Sequence, residues 1–266
     1  MQSKQILKEK ERETQQRTKV EMADSHTHLD LFQDLAQVDS AISYGVSTII
    51  TCGVDTKTNF RSLELQDGRH IFAALGVDPE HLSGMGKDEI DFNMKLIRER
   101  RGQIVAIGEV GLDYKITSEK EEIAKQKSAF SGFLKLAKEL DLPVCIHSRE
   151  AMSDTMEMVE ESGAKKVMFH FFSGDEHEAM RAASKGYMIS IPPMESSKRR
   201  RVIKAVPIDN LLVETDSPVA SATPRDVERA IRMVCEAKGL AFDKTAERLT
   251  LNTKRFFNIR SPLMRI

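Results

Sequence analysis

Asp24-Ser25-His26-Thr27-His28 opens the first apolar segment of the chain. Side chains two apart on a strand share a face, so this run would aim Asp24, His26 and His28 in one direction. Two neutral imidazoles side by side are a chelate for a divalent cation. A single His-x-His arises often by chance, and its weight depends on where the other histidines and acids fall. His147 and His170 end two further apolar runs, Glu109 ends another, and Asp216 follows the last. His70, His81 and His177 fall instead at a strand start, in a loop and at a helix start. Each candidate alone has a structural reading, as a hydrogen-bonded histidine, a salt-bridge acid or a turn former. Six ionisable groups converging on one mouth would need partners, because buried charge is costly unless compensated. A divalent metal supplies that compensation.

Four imidazoles (His26, His28, His147, His170) and two carboxylates (Glu109, Asp216) suffice for two divalent ions, with Glu109 placed to bridge them. Two ions about 3.5–4 Å apart activate a shared water and clamp the oxygens of a phosphate ester. Asp216 is the candidate general base, positioned to accept the proton of the attacking water. Asp24 either orients the histidines or belongs to the core.

The elements that must position these residues alternate along the chain. Strand signals end at His28 and span Val46–Cys52, His70–Gly76, Gln103–Glu109, Pro143–His147, Lys166–His170, Tyr187–Ile191 and Asn210–Thr215. Between them run amphipathic stretches such as Leu35/Val38/Ile42 and Met152/Met156/Val159, several stopped by glycine. Ser118 with Glu121 reads as a capping box for a long helix through Phe130, Phe133 and Ala137. Eight strands each followed by a helix predict a closed parallel (β/α)8 TIM barrel of the α/β class, with its chemistry at the C-terminal strand ends. A doubly wound open sheet is the competitor, and no Gly-x-Gly-x-x-Gly follows the first strand to support it.

The 266 residues suit one such barrel over residues 22–260. A formal net charge of -1 does not advertise nucleic-acid binding by the whole fold, so any anion site must be local. Cys52, Cys145 and Cys235 are scattered without a C-x-x-C pair, which points to a reducing cytoplasm rather than a disulfide framework. Neither a membrane span nor a signal peptide is expected. Residues 1–21 are nearly all Lys, Arg, Glu and Gln, with no apolar stripe to dock, and read as a mobile leader; Met22 is an alternative start. Residues 261–266 read as a tail.

Asp24-Ser25-His26-Thr27-His28-Leu29-Asp30 resembles the opening motif of the TatD family of metal-dependent deoxyribonucleases. The resemblance continues through Ala106-Ile107-Gly108-Glu109-Val110-Gly111-Leu112-Asp113-Tyr114 and Pro143-Val144-Cys145-Ile146-His147-Ser148-Arg149-Glu150-Ala151. It recurs at His170-Phe171-Phe172-Ser173-Gly174 and at Leu211-Leu212-Val213-Glu214-Thr215-Asp216-Ser217-Pro218. It implies an amidohydrolase-type barrel holding one ion by His26, His28, Glu109 and Asp216 and another by Glu109, His147 and His170. It also implies hydrolysis of DNA phosphodiesters, typically exonucleolytic, assisted by magnesium or another divalent ion. The expected cofactor is two divalent ions (Mg, Mn or Zn) and the expected substrate single-stranded DNA, with no obligate protein partner evident in the sequence.

Two departures bear on the substrate. Where the family usually shows Gly-x-His-Pro-His, this chain has Gly76-Val77-Asp78-Pro79-Glu80-His81, with acids replacing two histidines. The usual Arg/Asn-Glu-Pro after strand eight is replaced by Ala220-Ser221-Ala222-Thr223-Pro224-Arg225. The acids motivate an alternative reading, hydrolysis of an amide, lactone or small ester on the same metal pair. A third reading is a non-catalytic scaffold that keeps its metals for stability. Arg149 is the candidate phosphate clamp, and Asp113 and Tyr114 complete the expected substrate contacts. Lys198-Arg199-Arg200-Arg201 with Lys204 reads equally as a basic rim or as a solvated helix face. Tyr114 could stack on a base, whereas Phe171-Phe172 reads as core.

Overall fold

A computed structural model describes residues 20–259. Eight strands lie side by side in chain order, every neighbouring pair parallel. They are β1 (Met22–Thr27), β2 (Val46–Cys52), β3 (Ile71–Leu75), β4 (Ala106–Asp113), β5 (Val144–Arg149), β6 (Val167–Phe169), β7 (Met188–Ile191) and β8 (Leu211–Val213). Helices cross between successive strands, because parallel strands cannot be joined by a tight turn. The expected barrel is therefore observed. β1 and β8 are brought together beyond the ladder: His28 N–H donates to Ser217 O at 2.8 Å and Asp216 N–H to His26 O at 3.0 Å. The Asp24 carboxylate fastens the same seam, accepting from Thr215 N at 2.9 Å and Thr215 Oγ1 at 2.5 Å. Of the two roles open to Asp24, the core role is the one these bonds describe.

Period-two alternation divides the strand residues between two apolar clusters. Ile49, Ala73 and Leu75 join the layer beneath the helices, with Phe130, Phe133 and Leu134 from the helix Lys120–Leu140. Ile50, Cys52, Ala74, Ala106, Cys145, Met168 and Leu212 form the other, closed by Phe257. Burying a side chain such as Phe133 contributes about 2–3 kcal/mol, and removing it would leave a cavity in the helix–strand layer. No helix among the described residues is long and apolar enough to cross a membrane.

Three expectations are corrected. β4 does not stop at Glu109 but continues to Asp113, pairing Val110 with Ile146 and Asp113 with Arg149. Its register shifts between Ile107 and Val110, a bulge that re-aims a side chain at Glu109. Gly111 makes the continuation possible, since at φ +152° a Cβ there would lie 1.9 Å from His147 O. The capping box at Ser118 and Glu121 does not form: Glu119 is the N-cap of the long helix and makes no side-chain cap bond. Capping boxes occur instead at Asp55/Thr58, Asp175/Glu178 and Thr223/Asp226, where the acid or threonine sits directly at the helix start. Phe171 and Phe172 do not share a fate, for Phe172 is buried while Phe171 stands at the barrel mouth. The leader and tail lie outside the described residues except Val20 and Glu21. Glu21 is held by Lys254 Nζ at 2.5 Å and through its carbonyl by Thr250 Oγ1 at 3.0 Å.

Candidate metal centre

The six expected ligands meet at the C-terminal mouth of the barrel, drawn from β1, β4, β5 and the turns after β1, β6 and β8. His26 Nε2 and His28 Nε2 face each other at 3.2 Å, and lie 3.3 and 3.4 Å from Glu109 Oε2. The other Glu109 oxygen is 2.8 Å from His147 Nδ1 and 3.3 Å from His170 Nε2. Asp216 Oδ1 stands 3.2 Å from His28 Nε2 and 3.8 Å from His26 Nε2. Each Glu109 oxygen thus serves a different set of imidazoles, the arrangement expected of a bridging carboxylate. The backbone makes room for it: a Cβ on Gly76 would lie 2.3 Å from Glu109 O, so only glycine lets the loop after β3 close against β4 at this point.

Ring orientation is set from outside the cluster. His28 Nδ1 is 3.1 Å from the Cys52 carbonyl, which can only accept, so this nitrogen carries a proton and the ring turns Nε2 inward. His26 Nδ1 meets Cys52 Sγ at 3.3 Å. His170 Nδ1 lies 3.2 Å from Glu214 Oε1. His147 is turned the other way, with Nδ1 on Glu109 and Nε2 2.9 Å from Asp113 Oδ2. Glu214 was not among the candidates, yet it is fully buried and backs a ligand ring. Its signal was present in Glu214-Thr215-Asp216, two acids one strand period apart.

The electrostatics show how tightly these groups depend on one another. Burial drives Glu109 upward, but the imidazoles of His170, His147 and His26 outweigh it and hold the carboxyl well below the usual carboxylate range. Burial opposes charge on His28, yet the adjacent carboxylates of Asp216 and Glu109 push it up to about 10. His147 is pushed up to about 9 by Asp113 and Glu109 against the same burial. His26 goes the other way, lowered by burial and by the neighbouring His170. Two imidazole nitrogens pointed at one carboxylate oxygen, with buried Asp216 Oδ1 lacking any hydrogen bond, form a donor set that suits a divalent cation. Atoms of His26/His28/Glu109, of Glu109/His147/His170 and of His26/His170/Asp216 each lie within 4.8 Å of one another. The residues present therefore fit a metal centre.

The remaining expectations divide. Arg149 lines the cleft above the cluster, whose volume is about 710 Å³. Asp113 is fully buried and engaged by His147 and by Arg149 Nε at 2.7 Å. Tyr114 is not brought to the cleft; its hydroxyl donates to Asp154 at 2.7 Å. The basic run divides: Lys198 and Arg199 sit against the cleft's edge, Lys198 donating to Ser173 O and Arg199 lying over the Phe171 ring, while Arg200 pairs with Glu236 and Arg201 with Glu176.

Residues 23–258 match the family described as TatD related DNase. The chain belongs to this family. It is 31% identical to the uncharacterized metal-dependent hydrolase YabD of Bacillus subtilis, over 89% of this chain and 98% of that protein. It is 27% identical to the human deoxyribonuclease TATDN3, over 90% of this chain and 95% of the relative. Among solved structures it resembles the TatD homologue YjjV of Escherichia coli, with a TM-score of 0.79 and 28% identity, covering 90% of this chain and 98% of that one. This TatD-family protein is a metal-dependent hydrolase, and its buried histidine and carboxylate clusters suit that dependence.

Proposed function

We propose that the protein is a deoxyribonuclease or phosphodiesterase that cleaves DNA, single-stranded by preference, with two divalent ions of magnesium, manganese or zinc. The observation that carries the reading is the division of Glu109, one oxygen facing His26 and His28 and the other His147 and His170. His26, His28, Glu109 and Asp216 would hold one ion; Glu109, His147 and His170 would hold the other. When bound, such ions supply Lewis-acid activation of a water and charge stabilisation at the phosphoryl group.

The chain's own residues do the rest. Asp216, whose carboxyl the facing histidines hold below its usual range despite burial, is ionised at neutral pH and accepts the water's proton. Asp113 and Glu214 orient His147 and His170, so Asp113 acts as a positioning residue rather than a substrate contact. Arg149 offers a planar fork to a phosphate oxygen. The names of relatives such as human TATDN3 support DNA as the substrate. The unpaired cysteines Cys52, Cys145 and Cys235 support a reducing, cytoplasmic setting.

The test is a metal-analysed preparation assayed on labelled single-stranded DNA with each divalent ion in turn. Nucleotide release abolished by chelator and by Glu109→Ala is the expected result. A metal-loaded protein inert on every phosphodiester would overturn the reading. One observation favours a second reading: Asp30, Asp78 and Glu80 all line the cleft and suit a neutral ester, lactone or amide. A panel of those substrates run beside DNA separates the two, and DNA turning over fastest removes the alternative.

A further inference from the structure

The cleft has two unlike walls. Leu31, Phe171, Met194 and Val219, from the turns after β1, β6, β7 and β8, make one side apolar. Leu31, Met194 and Val219 are 55%, 46% and 64% exposed and stand together on this wall, an apolar surface open to a ligand. The opposite wall, from the turn after β3 and the end of β5, carries Asp78, Glu80, His81 and Arg149. Arg149 is the one lysine or arginine lining this cleft among the described residues, and it is already engaged twice. Its Nη2 donates to Glu80 Oε1 at 2.9 Å, and its Nε lies 2.7 Å from buried Asp113. The Asp113 contact lacks hydrogen-bond geometry, leaving Arg149 Nε without a well-aligned acceptor.

These two contacts differ in permanence. Asp113 cannot leave, being fully buried and bound to His147. The Glu80 and Arg149 side chains are 48% and 44% exposed, so that pair is screened by water and open to competition. A phosphate reaching Arg149 either competes with the Glu80 carboxylate for Nη2 or binds another edge of the guanidinium, and in both cases it sits beside that negative charge. The penalty grows with the charge of the incoming group. An internal diester carries one negative charge, whereas a terminal phosphate carries up to two at neutral pH.

We propose that Glu80 is a specificity-determining residue that acts as a charge filter. It occupies the cleft's arginine and thereby favours singly charged phosphodiesters with an unphosphorylated end over terminally phosphorylated ones. The apolar wall is the complement, covering the uncharged base or sugar of such an end. The inference rests on the phosphodiesterase reading above, and deepens it by naming the substrate's charge state.

The test compares thymidylyl-thymidine with its terminally phosphorylated forms on metal-loaded wild type, Glu80→Gln and Glu80→Ala. The ratio of kcat/KM for the unphosphorylated over the phosphorylated dinucleotide should exceed one in wild type. It should fall about fivefold in both variants, the scale of losing one exposed ion pair. An unchanged ratio in both variants overturns the filter. Binding of inorganic phosphate against dimethyl phosphate, measured by calorimetry on the same proteins, gives an arm independent of turnover. If no dinucleotide is hydrolysed but the variants still bind inorganic phosphate more tightly relative to dimethyl phosphate, the nuclease reading fails and the filter stands. If hydrolysis is normal and neither ratio moves, the filter fails alone.

Discussion

Glu214 Oε1 lies 3.2 Å from His170 Nδ1 and accepts the Phe171 N–H at 2.6 Å. One buried oxygen therefore backs a ligand ring and holds the next residue, whose φ of +43° is uncommon for a bulky side chain. The turn after β6 carries His170 beside Glu109, and Glu214 contacts both His170 and the strained residue that follows it.

Glu214→Gln keeps the shape and removes the charge. Affinity for Mn2+ or Zn2+ is expected to fall about 10- to 100-fold, the usual cost of losing an outer partner of a ligating histidine. Calorimetric titration of the chelator-stripped protein measures it, and an unchanged affinity would remove Glu214 from the centre.

Glu109 touches every imidazole of the cluster, so its loss should exceed any outer-partner effect. Glu109→Ala is expected to lower hydrolysis at least ~100-fold, beyond the outer-partner range. Elemental analysis should show ions lost with it. In wild type, metal at about 100 times its dissociation constant should stabilise the fold by about 2.7 kcal/mol. A thermal melt with and without chelator reads that shift, and a Glu109→Ala melt should be indifferent to metal.

Gly111→Ala tests the path of β4. Its Cβ would lie 1.9 Å from His147 O at a φ that L residues rarely adopt. A cost of about 3 kcal/mol is expected, drawn from the upper part of the single-mutation range. That corresponds to a Tm lowered by about 5–6 °C at this chain length. A melt within a degree of wild type would show that the strand tolerates a side chain there.

His81 supplies the pH test. The hydrogen bond that His81 Nδ1 donates to Asp78 Oδ1, 2.6 Å away, raises its pKa above the ordinary histidine value. Its stabilising contribution is therefore fully present below the unfolded pKa of about 6.5 and is lost as pH rises through the higher folded value. An NMR titration of the His81 ring should show a midpoint above 6.5, and Asp78→Asn should bring that midpoint down. Because the ring is 44% exposed, the effect on global stability is small.

Much of this protein was legible in one dimension. The (β/α)8 architecture followed from eight β-branched runs separated by helical periodicity, since each parallel strand needs its own crossover. His26, His28, Glu109, His147, His170 and Asp216 could be picked out because the C-terminal side of the strands is where such a barrel gathers its chemistry, although Glu109 and His147 lie inside β4 and β5 rather than at their ends. Other features depended on contacts between segments far apart in the chain. The continuation of β4 to Asp113 required Gly111 to lie against His147, which no local pattern announces. Glu214 gained its role from the turn after β6, and Arg149 from a carboxylate 69 positions earlier. Tyr114 went to Asp154 instead of the cleft, because the helix Met152–Ser162 offers an acceptor within reach of its hydroxyl. Periodicity and residue type report what one segment prefers by itself. Which donor meets which acceptor across the barrel mouth is decided only when strands and turns pack, because hydrogen bonds and ion pairs act over a few ångströms of space and carry no memory of sequence distance.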